Sequence, residues 1–190
     1  MLFRSLAAGP DGRVDGSFEF FGNGSSYIQF NNNDGGVLDV RYSITMLCRV
    51  YYDGQQGPFF FYGRSRPQFG VFFGVFRTKL IVEFFDRHSY SPFSFTSSPS
   101  ALTGGWKFVG ASYNGTTGEI KLWIDGVAVQ TANAPAGKEL GTKDNVRMAV
   151  EPSNYYNFKG RITQMRLYNI ALSQEQVREI MGKSLLQIFQ

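Results

Sequence analysis

Hydrophobic and polar positions along the chain alternate, or stay apolar for four to eight residues, then break on clusters of Gly, Asn, Asp, Pro and Ser. Extended backbone points successive side chains to opposite faces, so this rhythm is the mark of short strands joined by tight turns. It predicts about eleven strands, at 17–21, 27–30, 43–51, 58–62, 69–76, 79–85, 106–113, 119–124, 127–130, 146–150 and 162–168. Asp125-Gly126 between two alternating runs predicts a two-residue hairpin, because that pair accepts the positive φ angles of a primed turn. Asn114-Gly115 reads as the preceding turn, which makes 106–130 a three-strand meander. On the middle strand Ile120, Leu122 and Ile124 share one face, leaving Trp123 to solvent or to a second packed layer.

Helical periodicity is good in one place only, near the end. Ser173 is a candidate cap, Gln176 completes a capping box, Val177, Ile180 and Met181 form a stripe, and Gly182 is the expected terminator. With no crossover helices between strands, a parallel sheet is excluded. The expected architecture is all-β: a two-sheet antiparallel jelly-roll sandwich with one short C-terminal helix. A lead-in over 1–14, one domain over 15–182 and a tail over 183–190 complete the division.

Composition agrees. Aromatic residues make up 16% of the 190, with 19 Phe and 10 Tyr, a strand-favouring bias. A net charge of +4 is spread along the chain, without the dense basic runs of nucleic-acid arms, so no nucleic-acid partner is expected. Cys48 is the single cysteine and sits in an apolar run, which predicts a buried inert thiol and rules out an internal disulfide. No stretch approaches the roughly 18 apolar residues of a membrane span. The opening segment lacks a signal-peptide core, which reads as a module excised from a longer protein. Asn23-Gly24-Ser25 and Asn114-Gly115-Thr116 are sequons, making Asn23 and Asn114 glycan acceptors if the chain is exported.

Four motifs then follow in order: Gly104-Gly105-Trp106-Lys107-Phe108, Leu122-Trp123-Ile124-Asp125-Gly126, Phe158-Lys159-Gly160-Arg161-Ile162 and Leu167-Tyr168-Asn169-Ile170-Ala171-Leu172-Ser173. In this spacing the chain resembles the laminin G-like and pentraxin-like branch of the concanavalin A-like lectin and glucanase superfamily, over residues 15–182. The resemblance implies an extracellular or cell-surface module that recognises glycans or protein partners. It does not fix the ligand, because the fold carries enzymes, lectins and adhesive modules alike. Trp106 is expected to fill the core, and Phe158 and Gly160 to set a bulge before the last strand.

Catalytic chemistry is looked for and not found. A glycanase needs two carboxylates facing across the scissile bond. Glu83 and Asp86 have the wrong parity on one strand, and Asp125 is committed to a turn, so no enzyme is expected and a hydrolase or lyase is the remote alternative. One His and one Cys disfavour zinc. The resemblance raises calcium, but Thr163, Gln164 and Gln68 stand where many relatives carry acidic residues. The expectation is no metal, with calcium at Asp34, Asp39 or Asp144 the alternative.

Glycan sites combine aromatic platforms with amide and guanidinium donors. Two stretches have the mixture. One supplies Asn154, Tyr155 and Tyr156; the other supplies Arg87, His88 and Tyr90, with Arg64 and Arg66 expected nearby. The expected function is a non-catalytic adhesion or recognition module for glycans, acidic ones included. The alternative is a protein-interaction domain using the Phe-rich stretch that holds Phe59, Phe60, Phe61, Phe69, Phe72, Phe73 and Phe76.

Overall fold

The computed structural model describes residues 5–64, 68–102 and 104–183. Its strands, numbered along the chain, form two antiparallel sheets. The seven-stranded sheet runs β1 (Ser5–Ala7), β2 (Ser17–Phe21), β13 (Lys159–Tyr168), β4 (Ile44–Gln55), β9 (Trp106–Tyr113), β10 (Glu119–Ile124), β11 (Val127–Asn133). The six-stranded sheet runs β3 (Ile28–Phe30), β12 (Val146–Met148), β5 (Gly57–Gly63), β6 (Phe69–Phe76), β7 (Lys79–Phe85), β8 (Pro92–Ala101). Helix α1 (Gln174–Gly182) closes the description.

The sheets face each other over one large apolar core. Ile44, Met46, Cys48 and Val50 on β4 meet Phe59, Tyr62, Val71, Phe73 and Val82 from the other sheet. Phe59 packs edge-on to both Phe73 and Phe158, at 5.5 and 5.2 Å between ring centres. Burying one such side chain contributes on the order of 1.5–3 kcal/mol, so a few rings account for much of the driving force.

The meander over β9, β10 and β11 forms as expected, with Asp125 and Gly126 at φ +50° and +75° in the turn. Trp123 takes the second of its two predicted places. It is fully buried outside the main core, with Leu47, Phe108, Leu172 and Val177, under α1. Ser173 and Gln176 close the capping box. Gly182 does not terminate the helix through positive φ, since the cap is extended Lys183. The last carbonyls are met by arginines of the sheet instead: Arg166 donates to Ile180 (2.7 Å) and Arg49 to Met181 (2.9 Å). Both cations also oppose the negative end of the helix dipole.

Two more features depart from the sequence reading. Trp106 starts β9 as predicted but points away from the core, where it meets Tyr51 edge-on at 5.9 Å and belongs to none of the packed clusters. Parity decides this: Trp106 shares the outward face with Phe108 two residues on, and it pairs with Tyr51, whose neighbours Val50 and Tyr52 pack on the core. The stretch 92–101, absent from the predicted strands, is strand β8. As an edge strand it tolerates Pro92 and Pro99, which would remove hydrogen bonds from a central one.

Candidate functional site

The same parity arms the outer face of the six-stranded sheet. On β3 and β12 the core takes Ile28, Val146 and Met148, so Gln29 and Arg147, which are register partners, point outward together. Arg147 Nε donates to Gln29 Oε1 at 2.8 Å, and its guanidinium lies 4.8 Å from the Tyr27 ring centre. At the end of β5, Arg64 Nε donates to Asp144 Oδ1 at 2.7 Å. Arg64 is largely exposed while the Asp144 carboxylate is nearly buried. Asn145 Oδ1 accepts from the Asn32 backbone N–H (2.9 Å), and Asn32 Nδ2 donates to the Thr142 and Asp144 carbonyls. These groups, with Pro152, line a cleft of about 250 Å³. Two guanidinium groups, three amide side chains and one carboxylate already engaged by arginine make a surface of donors with a net positive charge.

Residues 151–157 reach this face from the far end of β12. Glu151 is buried, and its Oε1 accepts from the Ser153 hydroxyl and from the Tyr155 N–H (3.1 Å), which ties the loop into a fixed turn. Tyr156 then lies edge-on to Phe72 and Phe76, and Tyr155 is left 77% exposed. Asn154, at φ +57°, sits against Gly24.

The second predicted stretch lies apart from the cleft, at the loop end of the sandwich. Arg87 is a correction. Its side chain is 3% exposed and donates to Asp39 at 2.6 and 2.8 Å and to Asp34 at 2.6 Å. A guanidinium spent in this way clamps loops and does not reach a ligand. Burial pushes the Asp39 carboxyl up, but hydrogen bonds from Arg87, the Gly35 N–H and Thr142, with the arginine charge, hold it below the usual carboxylate range. His88 is exposed and 3.5 Å from Glu139, and Tyr90 lies 4.9 Å from Lys143 Nζ. Arg66 lies outside the described residues.

The aspartates named for calcium are each engaged by arginine: Asp34 by Arg41 and Arg87, Asp39 by Arg87, Asp144 by Arg64. Among the described residues no group of three or more His, Cys, Asp or Glu is placed to share a metal ion. Asn23 and Asn114 both occupy turns, each accepting a hydrogen bond from a backbone N–H two residues on. The Phe-rich stretch divides between the faces: Phe59, Phe60 and Phe73 enter the core, while Phe61, Phe69 and Phe72 form an outer cluster with Ile81 and Phe85. That cluster is buried, so it does not form the exposed apolar face expected of an interface; Phe95 alone on β8 is well exposed, at 58%. Of the residues named from the sequence, Arg64 lines the cleft; Arg147, Gln29, Asn32 and Asn145, which line it too, were not among them. The alternation in Ile28-Gln29-Phe30 and Val146-Arg147-Met148 carried the signal for two of them.

A family model described as the concanavalin A-like lectin/glucanases superfamily, of the laminin G type, matches residues 21–178. The chain belongs to this superfamily. The superfamily's two-sheet sandwich recurs in solved structures at low sequence identity. The carbohydrate-binding module CBM40 of the Ruminococcus gnavus IT-sialidase, bound to α2,3 sialyllactose, aligns at TM-score 0.69 and 14% identity, over 95% of this chain and 99% of that one. Domain 4 of AbnA, a GH43 extracellular arabinanase from Geobacillus stearothermophilus in complex with arabinotriose, aligns at 0.66 and 19%, over 94% and 81%. The native heptameric SAP-like pentraxin of Limulus polyphemus aligns at 0.65 and 16%, over 86% and 80%. No match was found among curated protein sequences. No described helix is long and apolar enough to cross a membrane.

Proposed function

We propose that the chain is a secreted, non-catalytic carbohydrate-recognition module that takes an acidic glycan in the cleft between Arg64 and Arg147. The observation that carries this reading is the pair of guanidinium groups over one amide-lined cleft. Arg147 is oriented by Tyr27 and by Gln29, and its hydrogen bond uses Nε, leaving the Nη edge to face a carboxylate or sulfate. Of the cleft's own groups only Asp144 is acidic, and it is bound to Arg64, so the facing carboxylates of a glycosidase are lacking there. Family membership and the carbohydrate-binding modules among its structural neighbours support the class.

An array of neutral, carboxylated and sulfated glycans, followed by titration calorimetry, tests the reading. Binding should favour acidic glycans and weaken as salt is raised. Arg147→Ala should weaken it at least roughly tenfold, the scale of one charge-assisted contact. Equal binding of neutral and acidic glycans with no effect of Arg147→Ala overturns the site. Retention of a cell-surface protein with no glycan bound moves the function to protein recognition.

A further inference from the structure

Helix α1 covers only part of the outer face of the seven-stranded sheet. Leu47, Phe108 and Trp123 lie under it, and Arg49, donating to the Met181 carbonyl, stands at its end. Beyond Arg49 the next row across the sheet is set by register: Glu19 on β2, Arg161 on β13, Tyr51 on β4 and Trp106 on β9. This row lies outside the helix and partly open to solvent. Arg161 is 5.4 Å from the Tyr51 ring centre and 3.7 Å from the Glu19 carboxylate, and beside it Lys159 pairs with Asp53 at 2.8 Å. Trp106 is partly exposed, meets Tyr51 edge-on and belongs to none of the packed clusters.

From this row we infer a second carbohydrate site, for a neutral glycan, on the face opposite the cleft. An indole ring at the surface presents a flat apolar plane, the complement of the C–H face of a pyranose or furanose ring. Within the row Arg161 and Glu19 offset one another, Lys159 beside it is paired with Asp53, and Arg49 in the adjoining row is turned to the Met181 carbonyl, so the row itself has no net charge to select an anion. Fixed carboxylate acceptors beside guanidinium and ammonium donors suit the hydroxyls of a neutral sugar. Only two rings of the row are aromatic, and charged pairs border them, which is short of the apolar centre of a protein interface. The site stands apart from the proposed cleft and needs neither Arg64 nor Arg147.

Native affinity electrophoresis in soluble neutral polysaccharides (an arabinan, a xylan, a β-glucan and a galactomannan) tests it, alongside tryptophan fluorescence. The chain has two tryptophans, and Trp123 is buried, so an emission shift on binding reports Trp106. At least one of these polysaccharides should retard the protein and shift its emission. Trp106→Ala should weaken retention roughly tenfold, Trp106→Phe should keep most of it, and Arg147→Ala should leave it unchanged. Unfolding curves check that each variant is folded. No retardation by any of the four, or retardation that survives Trp106→Ala in the folded variant, overturns the inference. Acidic-glycan binding that is lost in Arg147→Ala but kept in Trp106→Ala separates the two sites, and failure of either leaves the other standing.

Discussion

The two outer faces of the sandwich obey the same pleat but are covered by different means. On the seven-stranded side α1 seals Leu47, Phe108 and Trp123 as a dry second layer. On the six-stranded side the aromatic side chains largely cover one another, with Tyr156 laid across Phe72 and Phe76, and the loops beyond are clamped by the Arg87 ion cluster. A helix buries a stripe and leaves the rest of its sheet open. A loop set leaves a polar cleft where it ends. Each face therefore offers a surface, one aromatic and neutral, the other cationic and rich in amides.

The sharpest way to break this comparison is to remove the centre of the dry layer. Trp123→Ala should destabilise by about 3–5 kcal/mol, because a fully buried ring leaves a cavity that its neighbours cannot fill. In urea unfolding this should appear as a lower midpoint together with loss of the helix seat. Arg87→Met comes next, at about 3 kcal/mol: Asp39, whose side chain is fully buried, loses its close guanidinium partner and keeps only the Gly35 N–H, the Thr142 hydroxyl and a 3.6 Å pair with Arg41. Tyr156→Ala should cost less, about 1–2 kcal/mol, since the ring is half-buried and covers one edge of the Phe cluster. If Tyr156→Ala matched Trp123→Ala, the loop would be as integral as the helix and the contrast would fail.

Acid should sharpen the same contrast. Hydrogen bonds from the Ser89 N–H, then, against desolvation, from the His88 N–H and Lys138, set Asp86 down to about 2, and Asp39 is lowered as well. A carboxyl depressed by folding adds stability above its unfolded pKa of about 3.9, and that stability is lost as pH falls toward the folded value. Amide signals from 31–42, 86–91 and 138–142 should therefore broaden between about pH 4 and 2 before those of the meander. The smallest expected effect is that of a chelator. With Asp34, Asp39 and Asp144 held by arginines, melting should move by less than about 2 °C, whereas loss of a tightly bound ion would shift it by roughly ten.

How far the sequence could be read follows from this division. Strands β2, β6, β7, β9 and β10 have the bounds that alternation predicts, because each face of each strand has one consistent environment. Alternation gives the face of a residue but not what lies over it. So alternation leaves Trp123 between solvent and a second layer, puts Trp106 in the core, and cannot say which rings of the Phe-rich stretch lie outside the sandwich centre or what covers them. Strand β8 was hidden by its Ser and Pro residues, which break a strand except at an edge. Of the cleft's lining, Arg64 stands out by composition. Arg147 and Gln29 are single polar residues in three-residue strands, and only their pairing across the sheet brings them together in the proposed cleft.

Cys48 carries a last consequence, for kinetics. It is the single thiol, fully buried at the middle of β4, and desolvation pushes its ionisation far above the ordinary thiol range. β4 lies between β13 and β9, so no local fraying of a sheet edge uncovers it. An alkylating reagent must wait for the whole sandwich to part. The rate at which Cys48 is modified in native buffer is thus a clock for global opening, built into the wild-type chain without a label, and either proposed ligand should slow it by the factor by which it stabilises the closed form.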